Sequence, residues 1–282
     1  SGSLGSNTTA SNNTAVGFSA MTANTTGTQN TGVGAEALAA NTTGNQNSGF
    51  GLSALGGNTT GADNAAFGRA ALGVNTTGNN NTAVGSSALL ANTTASNNTA
   101  VGFNAGLANT TGNENTFLGN KAGTAVTTGA DNTFVGSEAG DATTTGASNV
   151  AMGKGSLSAN TTASNNTAVG LSAGGAITTG TQNTIMGAFA GDALTDADLN
   201  VAVGYQALSA DTKGSRNIAI GYSALFSQNF TSSTNSFNTA VGDSAGQQVT
   251  TGVENTLIGA LAGDALTDAD FNVAIGKNAL SA

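Results

Sequence analysis

The chain has 282 residues, a net charge of −9 and only 7% charged residues, and it contains no Cys, His, Trp or Pro. With 38% apolar residues and so few charges, it does not fit the high-charge, low-hydrophobicity profile of a disordered chain. Six scattered Lys and Arg residues exclude a basic footprint for nucleic acid or an anionic membrane, and without His or Cys no Ser-His-Asp, Cys-His or zinc arrangement can be assembled.

The pattern that organises everything else is a period of seventeen residues. An Asn recurs from Asn13 through Asn30, Asn47 and Asn64 to Asn115, Asn132, Asn166 and finally Asn272. A Gly follows four residues later each time, as at Gly17, Gly34, Gly51, Gly119, Gly136 and Gly170. Only the step from Gly221 to Gly242 is longer, at 21 residues. A short fixed period means one supersecondary unit stacked on its copies. The predicted fold is therefore all-β: a parallel β-solenoid, or β-roll, of sixteen 17-residue coils running through residues 1–282 as one continuous array.

Numbering each coil from its Asn as position 1, the coil reads Asn-Thr-Ala-Val-Gly, two variable residues, then Ala-Leu or Ala-Gly at positions 8 and 9, and a polar stretch such as Ala-Asn-Thr-Thr-Gly. The first five residues are strand-like, as in Asn200-Val201-Ala202-Val203-Gly204. The apolar residue at position 4 is expected to point into the coil, and the Gly of Thr-Thr-Gly to supply a corner through positive φ. The Asn column is read as a ladder of stacked amides. The alternative reading of Asn-Thr-Thr, a glycosylation acceptor at Asn24 and its copies, is turn chemistry in an exported bacterial or viral protein.

Two compensations report on packing. Position 9 is Leu or Met in nine coils and Gly in seven, and in five of those seven an aliphatic residue appears three positions on, at Val126, Ile177, Leu194, Val249 and Leu266. Position 3 is bulky only at Phe117, Phe134, Ile185 and Leu257, always in a coil whose position 9 is Gly. Close packing tolerates neither voids nor overfilling, so positions 3 and 9 should touch, with Phe117 beside Gly123 and Phe134 beside Gly140. Because positions 3 and 4 alternate across the strand, Phe117, Phe134, Ile185 and Leu257 are expected on an outer face covered by a neighbouring subunit.

Further along the chain, residues 226–237 hold the four-residue insertion, a surface loop whose Phe230 and Phe237 form either a lid over the coil edge or a ligand contact. Asp192, Asp196 and Asp198, repeated as Asp264, Asp268 and Asp270, offer hard oxygen ligands, but their spacing matches no calcium loop, and a solvated acidic turn is the simpler reading. No cofactor is called for. Neither end carries a distinctive cap, which reads as a section of a longer fibre. An ice-binding face would need Thr residues two apart, whereas Thr25-Thr26 and their copies are adjacent and diverge.

The motif Asn-Thr-Ala-Val-Gly-x-x-Ala-Leu, with variants Asn-Val-Ala-Val-Gly and Asn-Ile-Ala-Ile-Gly, resembles the head repeats of YadA-type trimeric autotransporter adhesins and the repeat regions of bacterial and phage tail fibres. The resemblance implies side-by-side packing of three chains in a surface fibre. The expected role is a non-catalytic building block of an extracellular fibre on a cell surface or virion appendage, acting in attachment or as a spacer, with itself as principal partner. The competing class is a carbohydrate- or receptor-binding module, with a cell-surface receptor or glycan as ligand; an ice-binding solenoid ranks below both.

Overall fold

The computed structural model describes residues 2–281, which contain strands, turns and bends and no helix. The chain is a parallel β-solenoid of 17-residue coils, divided into two compact units, Ser1–Glu138 and Ala139–Ala282. In the first unit, β1 (Thr14–Val16), β2 (Thr31–Val33), β3 (Ser48–Phe50), β4 (Ala65–Phe67), β5 (Thr82–Val84), β6 (Thr99–Val101), β7 (Thr116–Leu118) and β8 (Thr133–Val135) pair in sequence order. In the second, β9 (Val150–Met152), β10 (Thr167–Val169), β11 (Thr184–Met186), β12 (Val201–Val203), β14 (Ile218–Ile220), β16 (Thr239–Val241), β17 (Thr256–Ile258) and β18 (Val273–Ile275) do the same. Two short strands, β13 (Gly214–Ser215) and β15 (Thr234–Asn235), pair beside them. The three-residue strands pair at equivalent repeat positions, for instance Thr14 with Thr31 and Val16 with Val33.

The interior of a coil is narrow and half polar. Positions 3, 8 and 9 supply its apolar part, such as Ala83, Ala88 and Leu89, all fully buried. Positions 1 and 12 supply buried amides, and both form ladders. In the first, Asn47 donates from Nδ2 to Asn30 Oδ1 (3.2 Å) and to the Gly61 carbonyl (2.8 Å), while Asn30 Oδ1 also accepts from the Asn47 peptide N–H (2.9 Å). In the second, Asn41 Nδ2 donates to Asn24 Oδ1 (2.8 Å) and Asn58 Nδ2 to Asn41 Oδ1 (2.7 Å). Asn24, the first residue of the Asn-Thr-Thr acceptor pattern, is thus fully buried and spent on stacking. A third column uses position 16, where Asn45 Oδ1 accepts from the Thr28 N–H and Asn79 Oδ1 from the Ala62 N–H. The Thr at position 13 adds a fourth, Thr42 Oγ1 donating to the Thr59 carbonyl at 3.0 Å.

The Gly at position 5 is obligatory for two reasons. Gly51 has φ near +135°, a region closed to side chains, and a Cβ placed there would sit 2.6 Å from the carbonyl oxygen of Gly68 in the next coil. Gly17, Gly34, Gly119 and Gly170 face the following glycine's carbonyl group in the same way. The Gly of Thr-Thr-Gly departs from the expectation: Gly27 and Gly44 do not have positive φ, and a Cβ there meets the next coil's backbone and the Asn24 or Asn41 side chain instead. Ala95 and Ala163 occupy that place in other coils, which no left-handed position would favour.

One expectation is reversed outright. Position 3 points inward and position 4 outward: Phe117, Phe134, Ile185 and Leu257 are fully buried, whereas Leu118 is 45% exposed. The four residues proposed for a subunit interface are core residues. Phe117 fills the space that a side chain at Gly106 or Gly123 would enter, Ile185 stands beside Gly191, and Leu257 beside Gly246 and Gly263. The inferred contact of positions 3 and 9 is therefore real at Phe117, Ile185 and Leu257, and it lies inside the coil. Position 9 carries a left-handed backbone, φ +53° at Leu38 and +59° at Gly123. A Leu there costs about 1–2 kcal/mol of backbone strain, offset by the volume it fills; Gly escapes the strain and leaves a hole for Phe117.

Candidate interaction surface

The outward side of the strands is built by positions 2 and 4, two residues apart on a pleated backbone and so on one face. Position 2 is mostly Thr; position 4 is Val, Phe, Leu, Met or Ile in every coil from Val16 to Ile275, and neither column holds a charged residue. Phe50, Leu118, Met152, Met186 and Ile258 are among its exposed members, and Phe50 stacks on Phe67 with ring centroids 4.9 Å apart and planes 5° from parallel. Charged side chains are confined to other columns, such as Arg69, Lys154 and Asp243 at position 6 and Asp63, Glu114 and Glu254 at position 17. Sequence reasoning missed this face because it assigned position 4 to the core. The signal was present: size at position 4 ranges from Val to Phe with no matching change elsewhere, which only an open surface tolerates.

Two coils are apolar at positions 2, 4 and 6 together. Val201 and Ile218 replace Thr at position 2, Val203 and Ile220 hold position 4, and Tyr205 and Tyr222 stand at position 6. The two tyrosines stack at 5.6 Å with planes 12° apart, and Phe189 meets Tyr205 edge-on at 6.1 Å. Tyr222 is 53% exposed.

The insertion lies in the second of these coils, the one that begins at Asn217. Asp211, fully buried, takes the place of a ladder Asn: its Oδ1 accepts from the Gly214 and Phe230 N–H groups at 3.0 and 3.1 Å, and its Oδ2 from Gln228 Nε2 at 2.6 Å. Gln228, at the same place one coil on, accepts from Asn238 Nδ2 of the position-1 column at 2.8 Å. Phe230 is 7% exposed and closes the coil edge, as the lid reading has it. Phe237 is exposed, with the Arg216 guanidinium 5.8 Å above its ring.

The acidic turns do not converge. Asp198 and Asp270 are held in the position-16 column, accepting from the Thr181 and Val253 N–H groups. Asp196 is 3.8 Å from Lys213, and the hydroxyl of Thr267 donates to Asp268. Asp192 and Asp264 each bury an Oδ1 without a hydrogen-bond partner, and burial pushes the Asp192 carboxyl above its ordinary range, against a smaller opposing effect of its own backbone hydrogen bond. Among the described residues, no group of three or more acidic side chains is arranged to hold a metal ion and no pocket opens. The weak calcium candidates Asp192, Asp196, Asp198, Asp264, Asp268 and Asp270 are thus separate turn residues.

Comparison of the chain with protein-family models, with curated proteins and with solved structures finds no match.

Proposed function

We propose that the chain is a non-catalytic structural segment of an extracellular fibre, on a cell surface or virion appendage, in which copies associate side by side. The observation that carries this reading is the uncharged outer sheet face, apolar at position 4 in every coil. Soluble monomers rarely leave so long an apolar stripe open to water. Eight strands about 4.8 Å apart and about 10 Å wide give each unit a face of about 400 Å². A patch of that size is at the scale that marks interaction sites on proteins. Three chains per fibre is the stoichiometry implied by the adhesin resemblance, and attachment or spacing the corresponding role. The uneven lengths of Val84, Phe50, Phe67 and Met152 in one column count against ice, which needs a flat face of uniform side chains. Sedimentation equilibrium of the purified chain tests the proposal: a mass that is a multiple of 26.9 kDa is expected, and a monodisperse monomer at ~100 μM, well above the Kd of weak but specific complexes, overturns it.

A further inference from the structure

Within the outer face, the three columns at positions 2, 4 and 6 are not uniform. Only the coils that begin at Asn200 and Asn217 carry large apolar residues in all three, through Val201, Val203 and Tyr205 in one and Ile218, Ile220 and Tyr222 in the next. Elsewhere at least one of the three is small, polar or charged, as with Thr82 and Ser86, Ala65 and Arg69, or Asp243. The two strands pair in register, Val201 with Ile218 and Val203 with Ile220, so the six side chains form one contiguous patch edged by the stacked tyrosines.

We propose that this patch is the energetic centre of the contact between two copies of the chain and sets their axial register; the inference rests on the side-by-side association proposed above. Three observations select a second copy as the occupant. The patch contains no charged group and, apart from the tyrosine hydroxyls, no polar side chain, which does not suit a glycan, whose recognition needs several convergent donors and acceptors. Its content, two exposed tyrosines among β-branched residues, is that of a protein hot spot. Finally, a partner strand array must match a repeat of one strand per coil along its whole length, and another copy of this chain carries the same repeat. Because a Thr–Val pair is the commonest combination in the other coils, recurring in seven of the fourteen, sliding one chain by a coil costs least among them and most where six large apolar side chains lose their counterparts. The uniform columns then supply area, and the patch supplies position.

The test uses repeat-typical substitutions, which the fold already accommodates elsewhere. Val201→Thr, Ile218→Thr, Tyr205→Ser and Tyr222→Ser give these coils the residues that Thr82 and Ser86 provide in another. A control variant makes the same kinds of change at positions 2 and 6 away from the patch, with Val150→Thr, Val273→Thr, Phe103→Ser and Leu171→Ser. Association of the full chain is measured by sedimentation equilibrium, and chain register by distances between spin labels at the half-buried Ser86 of adjoining chains. The patch variant should associate at least ~30-fold more weakly than wild type and show a broadened label distribution, while the control shifts association only several-fold and keeps one distance. Equal weakening by both variants, with the distances unchanged, overturns the patch while leaving side-by-side association standing. A wild-type chain that stays monomeric overturns both.

Discussion

The sharpest test of the coil interior is Asn47→Ala. The Asn47 side chain takes part in four hydrogen bonds: Nδ2 donates to Asn30 Oδ1 and the Gly61 carbonyl, and Oδ1 accepts from the Asn64 N–H and Asn64 Nδ2, both at 3.1 Å. Truncation does not strand all of these partners. The Gly61 carbonyl keeps Asn58 Nδ2 at 2.9 Å, Asn30 Oδ1 keeps the Asn47 N–H, and Asn64 Nδ2 keeps the Gly78 carbonyl at 2.8 Å. The Asn64 peptide N–H, fully enclosed, loses its acceptor. One buried orphan donor costs about 1–3 kcal/mol and each lost but replaceable bond about 0.5–1.5 kcal/mol, so the variant should lose about 3–5 kcal/mol.

Asn41→Ala is the matched comparison, because Asn41 is as buried and has three side-chain hydrogen bonds, yet none of them satisfies a peptide N–H. Its loss should be smaller, about 2–3 kcal/mol. Urea unfolding gives the two stabilities, and hydrogen exchange at the Asn64 amide reads the local effect directly: protection should fall in Asn47→Ala and persist in Asn41→Ala. If the two variants are equally stable and Asn64 stays protected in both, the ladder's backbone-capping role is wrong. The sequence already leans this way. Position 12 accepts Val126, Ile177 or Leu194 where position 9 is Gly, while position 1 is Asn in all sixteen coils.

Two further outcomes follow from the packing. Gly123→Leu drives a side chain into the Phe117 ring at a left-handed backbone position and should cost about 1–3 kcal/mol or more; adding Phe117→Ala should recover part of it, and strict additivity of the two changes in urea unfolding would deny the contact. Burial raises the Asp192 carboxyl above its value in the unfolded chain, so the folded state holds its proton over a pH window where the unfolded state has released it. That stabilising contribution is complete below the unfolded value and lost as pH rises through the folded one; Asp192→Asn should therefore be at least as stable as wild type at pH 7 and show a flatter stability profile above pH ~4, and a marked loss of stability at neutral pH would refute the assignment.

The sequence states the period, the strand and its register almost without ambiguity, since equivalent repeat positions pair along the three-residue strands. It also reports the contact of positions 3 and 9 through the matching of Phe117 with Gly123 and of Leu257 with Gly263. What it hides is the direction of the strand's two faces. Ala at position 3 and Val at position 4 both suit a core by polarity, and a rule that sends the larger apolar residue inward picks the wrong one here, because amides occupy half the interior and leave space for Ala opposite Leu. The left-handed residues at positions 7, 9 and 17, such as Glu36, Leu38 and Gln46, were equally out of reach, as no residue type marks them consistently.

The amide ladders link this interior to the surface. Asn side chains that bond to their equivalents one coil away fix the rise between coils as well as the identity of the stacked residues, and a fixed rise is what turns one exposed Val per coil into a continuous apolar column. The insertion at 226–237 shows the hierarchy at work. Four extra residues enter a coil, yet the Asn238 N–H still bonds Asn217 Oδ1 at 3.2 Å and Ile220 still pairs with Val241. The surplus is accommodated at the side, with Asp211 and Gln228 standing in for two ladder amides. Position 4 therefore stays in line across the insertion, in the coil of Tyr222 itself. A chain that only needed to fold would gain nothing from keeping an exposed apolar column aligned there, whereas a face that packs against another chain depends on it.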